Sequence, residues 1–127
     1  MSESWTKWKE IREKAGPFPP EAYQFLRDGL AHTVSMIHGG QPPEDDSRHV
    51  SGQQLCMGLR DFAIKQYGLL ARTVLAKWGL RSTEDFGRMV FALVDAGLMR
   101  KSDEDSLDDF SGVYEFAEAF GDPGTPN

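Results

Sequence analysis

Apolar residues recur at helical spacing along most of this chain, and breakers fall between the recurrences. The densest run lies in residues 82–101, where Phe86, Met89, Val90, Leu93 and Val94 repeat at intervals of one, three and four. Phe91 and Ala92 widen that stripe until little solvent face remains, which predicts a mostly buried helix over 83–96. Ser82 or Thr83 suits its N-cap, and Glu84 and Asp85 suit its positive end. Gly97 supplies the left-handed residue that stops it, with Leu98 placed for a hydrophobic contact just beyond. Four further helices follow from the same spacing. Residues 4–15 carry Trp5, Trp8 and Ile11 on one side, and residues 20–38 carry Tyr23, Leu26, Leu30, Val34 and Ile37. Pro20 fits the first position of the second helix. Ser51-x-x-Gln54 is a capping-box pattern opening 51–66, with Leu55, Leu59, Phe62 and Ala63 on one face. Residues 69–78 turn Ala71, Val74, Leu75 and Trp78 inward, Trp78 as a lid on the core.

Breakers separate these helices: Gly16-Pro17-Phe18-Pro19-Pro20, then the polar stretch 39–48, Tyr67-Gly68, and Gly79-Leu80-Arg81. Residues 39–48 are expected to be the most mobile internal segment. Beyond the fifth helix, Leu98-Met99-Arg100-Lys101 reads as a short strand and Ser102 to Asp109 as an acidic loop. Phe110, Gly112, Tyr114 and Phe116 alternate with Ser111, Val113 and Glu115, the pattern of a returning strand. Phe116, Ala117 and Phe120 begin a last helical turn, and residues 121–127 form a frayed, flexible tail. The expected architecture is a single, mainly α domain, a helical bundle with a small C-terminal β-hairpin. Residues 1–50 hold two N-terminal helices and the mobile loop, and 51–120 the remainder. Gly29, Gly58 and Gly87 fall inside predicted helices and together cost about 3 kcal/mol relative to alanine. Either they mark a break in a helix or helices cross closely there.

Charge divides the chain. Residues 1–46 carry five Lys/Arg and eight Asp/Glu, residues 47–101 carry nine and four, and residues 102–127 carry none and eight. The basic middle either neutralises the acidic tail internally or offers a surface to an acidic partner. Eight Phe and three Trp supply a core, so wholesale disorder is excluded. No run reaches transmembrane length and the N-terminus lacks the apolar stretch of a signal peptide. A single cysteine, Cys56, forms no internal disulfide, which fits a reducing cytoplasm.

Candidate chemistry is sparse. His32, His38 and His49 lie in or beside different segments without the spacing of zinc ligands. His49 precedes the capping box, where it either makes a local hydrogen bond or lines a cleft. Cys56, beside Leu55 on a helix, reads as a small buried hydrophobe and not as a nucleophile. Asp103, Glu104, Asp105, Asp108 and Asp109 fail the calcium-loop pattern, because Leu107 replaces a ligand and the required glycine is missing. No phosphate-binding loop, dinucleotide fingerprint or nucleophile elbow occurs, so no catalytic, metal or cofactor residue is assigned. Arg60, Arg72, Lys77, Arg81 and Arg88 remain as the candidate partner-binding cations, with Arg72 also placed to reach the acidic tail.

The order of helices 51–66, 69–78 and 83–96 followed by a hairpin resembles a winged helix. Its ending, Leu93-Val94-Asp95-Ala96-Gly97-Leu98-Met99-Arg100-Lys101, is similar to the leucine-x-x-x-glycine-leucine-basic close of such recognition helices. The resemblance implies that 83–96 would enter a DNA groove with 102–109 as the wing. The residues there oppose that use, since Glu84 and Asp85 lead the helix and the wing holds five carboxylates and no base. The chain also resembles, over about residues 5–120, a family of conserved hypothetical proteins from planctomycete and verrucomicrobial bacteria. Pro20-Glu-Ala-Tyr-Gln-Phe25, Arg48-His-Val-Ser-Gly-Gln-Gln-Leu55, Gly58-Leu-Arg-Asp-Phe-Ala63, Gly68-Leu-Leu-Ala-Arg-Thr-Val-Leu75, Trp78-Gly79, Thr83-Glu-Asp-Phe-Gly87 and Asp109-Phe-Ser-Gly-Val-Tyr-Glu-Phe116 carry it. That resemblance implies kinship without a mechanism.

Three functions are therefore carried forward. The first is a noncatalytic protein-interaction or regulatory module using the basic middle or the aromatics of the first helix. The second is a DNA-binding regulator, disfavoured by the acidic loop. The third is a ligand-binding protein or enzyme, which a deep pocket joining His49 to a carboxylate and an arginine would promote. No membrane role is expected, and the partner and oligomeric state are left open.

Overall fold

The computed structural model describes residues 3–39 and 49–121, with side chains from residue 7 onward. Apolar periodicity becomes α1 (Glu3–Ala15), α2 (Pro20–His38), α3 (Gly52–Tyr67), α4 (Ala71–Lys77), α5 (Thr83–Asp95) and α6 (Phe116–Phe120). Single 3-10 turns at Gly68–Leu70 and Leu107–Phe110 lie between them. The capping box forms at α3, where Ser51 Oγ accepts from the Gln54 N–H at 3.1 Å and Gln54 Oε1 accepts from the Ser51 N–H at 2.9 Å. The expected mobile loop, apart from Gly39, and the tail beyond Gly121 fall outside the described residues.

Packing starts at the α2–α3 pair, and the glycines explain why the two helices approach closely. A methyl group at Gly58 would stand 2.6 Å from Thr33 Cβ and 2.7 Å from its Cγ2, closer than non-bonded carbons come. At Gly29 it would overlap the Cδ2 of Leu59. Both helices run unbroken through these positions, so of the two readings the close crossing is the one that holds. Thr33 is fully buried at this crossing, and its hydroxyl donates to the Gly29 carbonyl one turn back at 2.7 Å. That bond satisfies a polar group which burial would otherwise penalise by about 1–3 kcal/mol. Phe25 then packs its ring, tilted, at 5.6 Å against Phe62 and 5.7 Å against Trp78, joining α2, α3 and the end of α4. Trp78 is half-buried there, as a lid on the core.

α5 is the sealed element that its stripe predicts. Phe86 and Met89 are 0 % exposed, and Val90, Ala92 and Leu93 are also buried. α1 covers one flank of α5 with Ile11, and its lysines reach the helix end. Lys7 donates to the Ala96 carbonyl at 3.1 Å and Lys14 pairs with Asp95 at 2.8 Å, where a helix C-terminus favours positive charge. Gly97, at φ +78°, stops the helix through N–H bonds from Gly97 to Val94 and from Leu98 to Leu93, the two bonds of a Schellman close. Leu98, just beyond the stop, is 55 % exposed.

The C-terminal β-hairpin is not formed: the described residues contain no strand. Residues 98–101 join no strand pair among the described residues, and the returning stretch is consumed in other ways. Leu107–Phe110 coils into a 3-10 turn, and Phe110 enters a slot that two glycines leave open. A Cβ at Gly52 would meet Phe110 at 2.8 Å, and one at Gly87 would meet it at 2.9 Å. Backbone groups that a partner strand would take are bound by α5 side chains. The buried Thr83 hydroxyl donates to the Phe110 carbonyl at 2.6 Å and accepts from the Val113 N–H at 3.2 Å. Glu84 accepts from the Gly112 N–H at 3.1 Å. Alternation in 110–116 therefore encodes Phe110, Tyr114 and Phe116 docking on helices, a period-two pattern without a sheet.

Candidate functional site

Three elements that do not close completely on one another leave a cleft of about 770 Å³. Leu30 and Val34 of α2 form one wall, and Val90 and Phe91 of α5 the other. Val50 and Leu55, at the start of α3, lie between them, with Met99 and Phe110 completing an apolar floor. α2 and α5 end up apart because α3 packs against both, and the glycine crossing draws α2 towards α3. The segment 99–105 borders the opening and brings Arg100, Lys101, Asp103, Glu104 and Asp105 to it.

His49 stands at this opening and is fixed from two directions. Its Nε2 meets Asp105 Oδ1 at 3.1 Å, across 56 positions of sequence. The other oxygen of Asp105 accepts from the Ser102 N–H at 2.9 Å, which orients the carboxylate. His38 Nε2 lies 2.9 Å from the His49 carbonyl and, as donor, ties the end of α2 to the residues before α3. The cleft thus joins His49 to a carboxylate and an arginine. Lys101 is turned onto the carbonyl of Ser102 at 3.3 Å, whereas Arg100, Asp103 and Glu104 have no polar partner among the described residues. No protein-family model, curated protein or solved structure matches this chain.

The five cations expected to bind a partner stand in different surroundings. Arg72 reaches the C-terminal segment, though not a carboxylate: it donates to the Gly121 carbonyl at 3.0 Å, and its guanidinium lies 5.8 Å from the centre of the Phe116 ring. Arg88 pairs with the buried Asp85, which also accepts from the N–H groups of Arg81 and Ser82 at the start of α5. Arg60 is half-buried and close enough to Tyr114 for its charge to act on that phenol. Lys77 and the Arg81 side chain are exposed. Of the aromatics in α1, Trp8 is half-buried against Tyr23 at 5.2 Å.

Cys56 is fully buried, and burial pushes its thiol up to about 12, so it is a core residue and no nucleophile at neutral pH. Tyr114, half-buried, donates to the Cys56 carbonyl at 2.8 Å, and burial raises its phenol as well. The third histidine, His32, meets Asp61 at 2.7 Å between α2 and α3. Among the described residues no three His, Cys, Asp or Glu side chains gather as a metal site, and no helix is long and apolar enough to cross a membrane.

Asp105, Arg100 and Thr83 are the residues that sequence reasoning missed. Asp105 sat within an acidic run whose members differ only in which neighbours the fold gives them. Thr83 reads in the sequence only as an alternative to Ser82 for the local cap, and its two bonds to positions 27 and 30 residues ahead have no local signal.

Proposed function

We propose that this chain is a noncatalytic protein-interaction module that takes its partner in the cleft between α2 and α5. The observation that carries the reading is the cleft itself: among the described residues, an apolar floor of core-type side chains with an ionic border. Its location and kinship belong to the same proposal: a bacterial cytoplasmic protein, supported by the single buried cysteine and by the resemblance to planctomycete and verrucomicrobial proteins. The test fills the floor. Met99→Trp should abolish retention of the partner that the immobilised wild-type chain holds from native extract, with its melting temperature unchanged. A partner retained equally by both forms would exclude the cleft.

A second reading rests on His49, Asp105 and Arg100 at the same opening. An oriented histidine–carboxylate pair in a cleft that an arginine also lines suits a small ligand or a proton-transfer step, and clefts of about 300–1,000 Å³ are the usual size for such ligands. His49→Gln separates the two readings, because small-ligand binding or turnover would be lost while an apolar contact surface would survive. The DNA-binding alternative has less support. α5 is buried along most of its length, and Glu84, Arg88 and Asp95 are its exposed residues. A mobility-shift assay across salt should show no phosphate-driven binding, which would weaken steeply as salt rises.

A further inference from the structure

Resting on the cleft reading above, we propose that its occupant is a basic amphipathic helix of a partner protein. Two features select this class. The floor lies between two helices, and its apolar side chains come from α2, α3 and α5 together, the arrangement of a groove that takes the apolar face of another helix. The ionic border supplies the second. Asp103, Glu104 and Asp105 line the opening, and Asp108 and Asp109 follow in the same segment. From residue 102 to residue 121 there are seven carboxylates and no Lys or Arg. Asp105 is bound to His49, but Asp103 and Glu104 are exposed and have no partner among the described residues. Two cations stand against them, Arg100 and Lys101, and Lys101 is turned onto its neighbour's carbonyl. Residues 100–109 carry five carboxylates against these two cations, so the segment bordering the opening is net negative, and lysines or arginines flanking the apolar stripe of an incoming helix gain attraction and register. An acidic helix with the same stripe would meet like charge.

The test titrates three fluorescein-labelled peptides of about 18 residues, roughly five helical turns, into the full chain and follows anisotropy. One peptide has leucines at helical i, i+3, i+4 and i+7 spacing with lysines elsewhere. The second replaces every lysine by glutamate, and the third replaces every leucine by glutamine. The lysine–leucine peptide should bind about tenfold or more tighter than either control, and the preference should shrink as salt rises. Asp103→Asn with Glu104→Gln, both at exposed positions, should weaken that binding several-fold, and Met99→Trp should abolish it. Equal or tighter binding of the glutamate–leucine peptide, lost in Met99→Trp, would overturn the basic class and leave the cleft reading intact. Lysine–leucine binding unaltered by Met99→Trp would overturn both. Failure of every peptide to bind would overturn the basic class alone, and so would sedimentation showing a dimer of the wild-type chain that Met99→Trp dissociates, since the occupant would then be a second copy.

Discussion

Single residues decide how closely the helices of this molecule approach, and the glycines are the clearest case. Gly58 and Gly29 face one another's helices, yet substitution should not cost the same at each. At Gly58 the obstacle is Thr33 Cβ at 2.6 Å, an atom next to the backbone that moves only if α2 moves. At Gly29 it is the terminal methyl of Leu59, with the Cγ at 3.5 Å, and a rotamer change relieves part of the overlap. Gly58→Ala should therefore destabilise by about 3 kcal/mol and Gly29→Ala by about 1–2, within the range of overpacked cores. Thermal unfolding followed by circular dichroism should place the Gly58→Ala midpoint about 10 °C below wild type. Equal losses would mean that the helices separate as rigid bodies at either site. The sequence showed that these glycines were costly, because helix propensity is a local property. It did not show what stood opposite them, since Thr33 and Gly58 meet through a crossing that no local pattern specifies.

At the scale of elements, the helices were legible and the C-terminal segment was not. A helix satisfies its own backbone, so periodicity, a capping box at Ser51 and a glycine stop at Gly97 together locate it. A strand needs a partner that lies elsewhere in the chain. Residues 110–116 alternate as a strand does, but Thr83 and Glu84 bind their backbone groups first. Thr83→Val keeps the shape and removes both hydrogen bonds of the hydroxyl, leaving a buried Phe110 carbonyl and a half-buried Val113 N–H. The expected loss is about 2–4 kcal/mol. Amide hydrogen exchange should locate the effect: residues 111–121 lose protection while α2 and α3 retain theirs. A uniform loss across the molecule would make the segment part of the main cooperative unit. Tyr114→Phe should loosen the same segment more mildly, by about 1 kcal/mol, because only its bond to the Cys56 carbonyl disappears. The cleft was illegible for a related reason. His49 and Asp105 are adjacent only because α2 and α3 cross while the chain returns past α5, and His49 alone gave no choice between a local bond and a cleft.

For the whole molecule, the acidic composition and the internal bonds of the carboxylates together set the response to acid. Asp61 is held below its ordinary value of 3.8, first by the hydrogen bond with His32 and then by Lys65. Glu84 is held below 4.5, first by its own backbone N–H and then by that of Gly112. A carboxylate depressed in the folded state binds fewer protons there than in the unfolded chain. Its contribution is therefore complete above the ordinary carboxylate range and is lost as pH falls through the depressed folded value. Glu84 is exposed and the Asp61 side chain is 38 % exposed, so solvent and salt screen the effect and each contribution is small. They sit at separate joints of the fold: Asp61 bridges α2 and α3, and Glu84 holds the C-terminal segment to α5. Comparing melting temperatures of wild type, Asp61→Asn and Glu84→Gln from pH 7 to pH 3 isolates each one. Both variants should melt below wild type at neutral pH, and each difference should narrow as pH drops below the ordinary carboxylate value. Hydrogen exchange at the acid end should report opening of residues 111–121 in wild type, matching the neutral-pH behaviour of Glu84→Gln. A difference that stayed constant down to pH 3 would assign these contacts to packing and remove charge from the account.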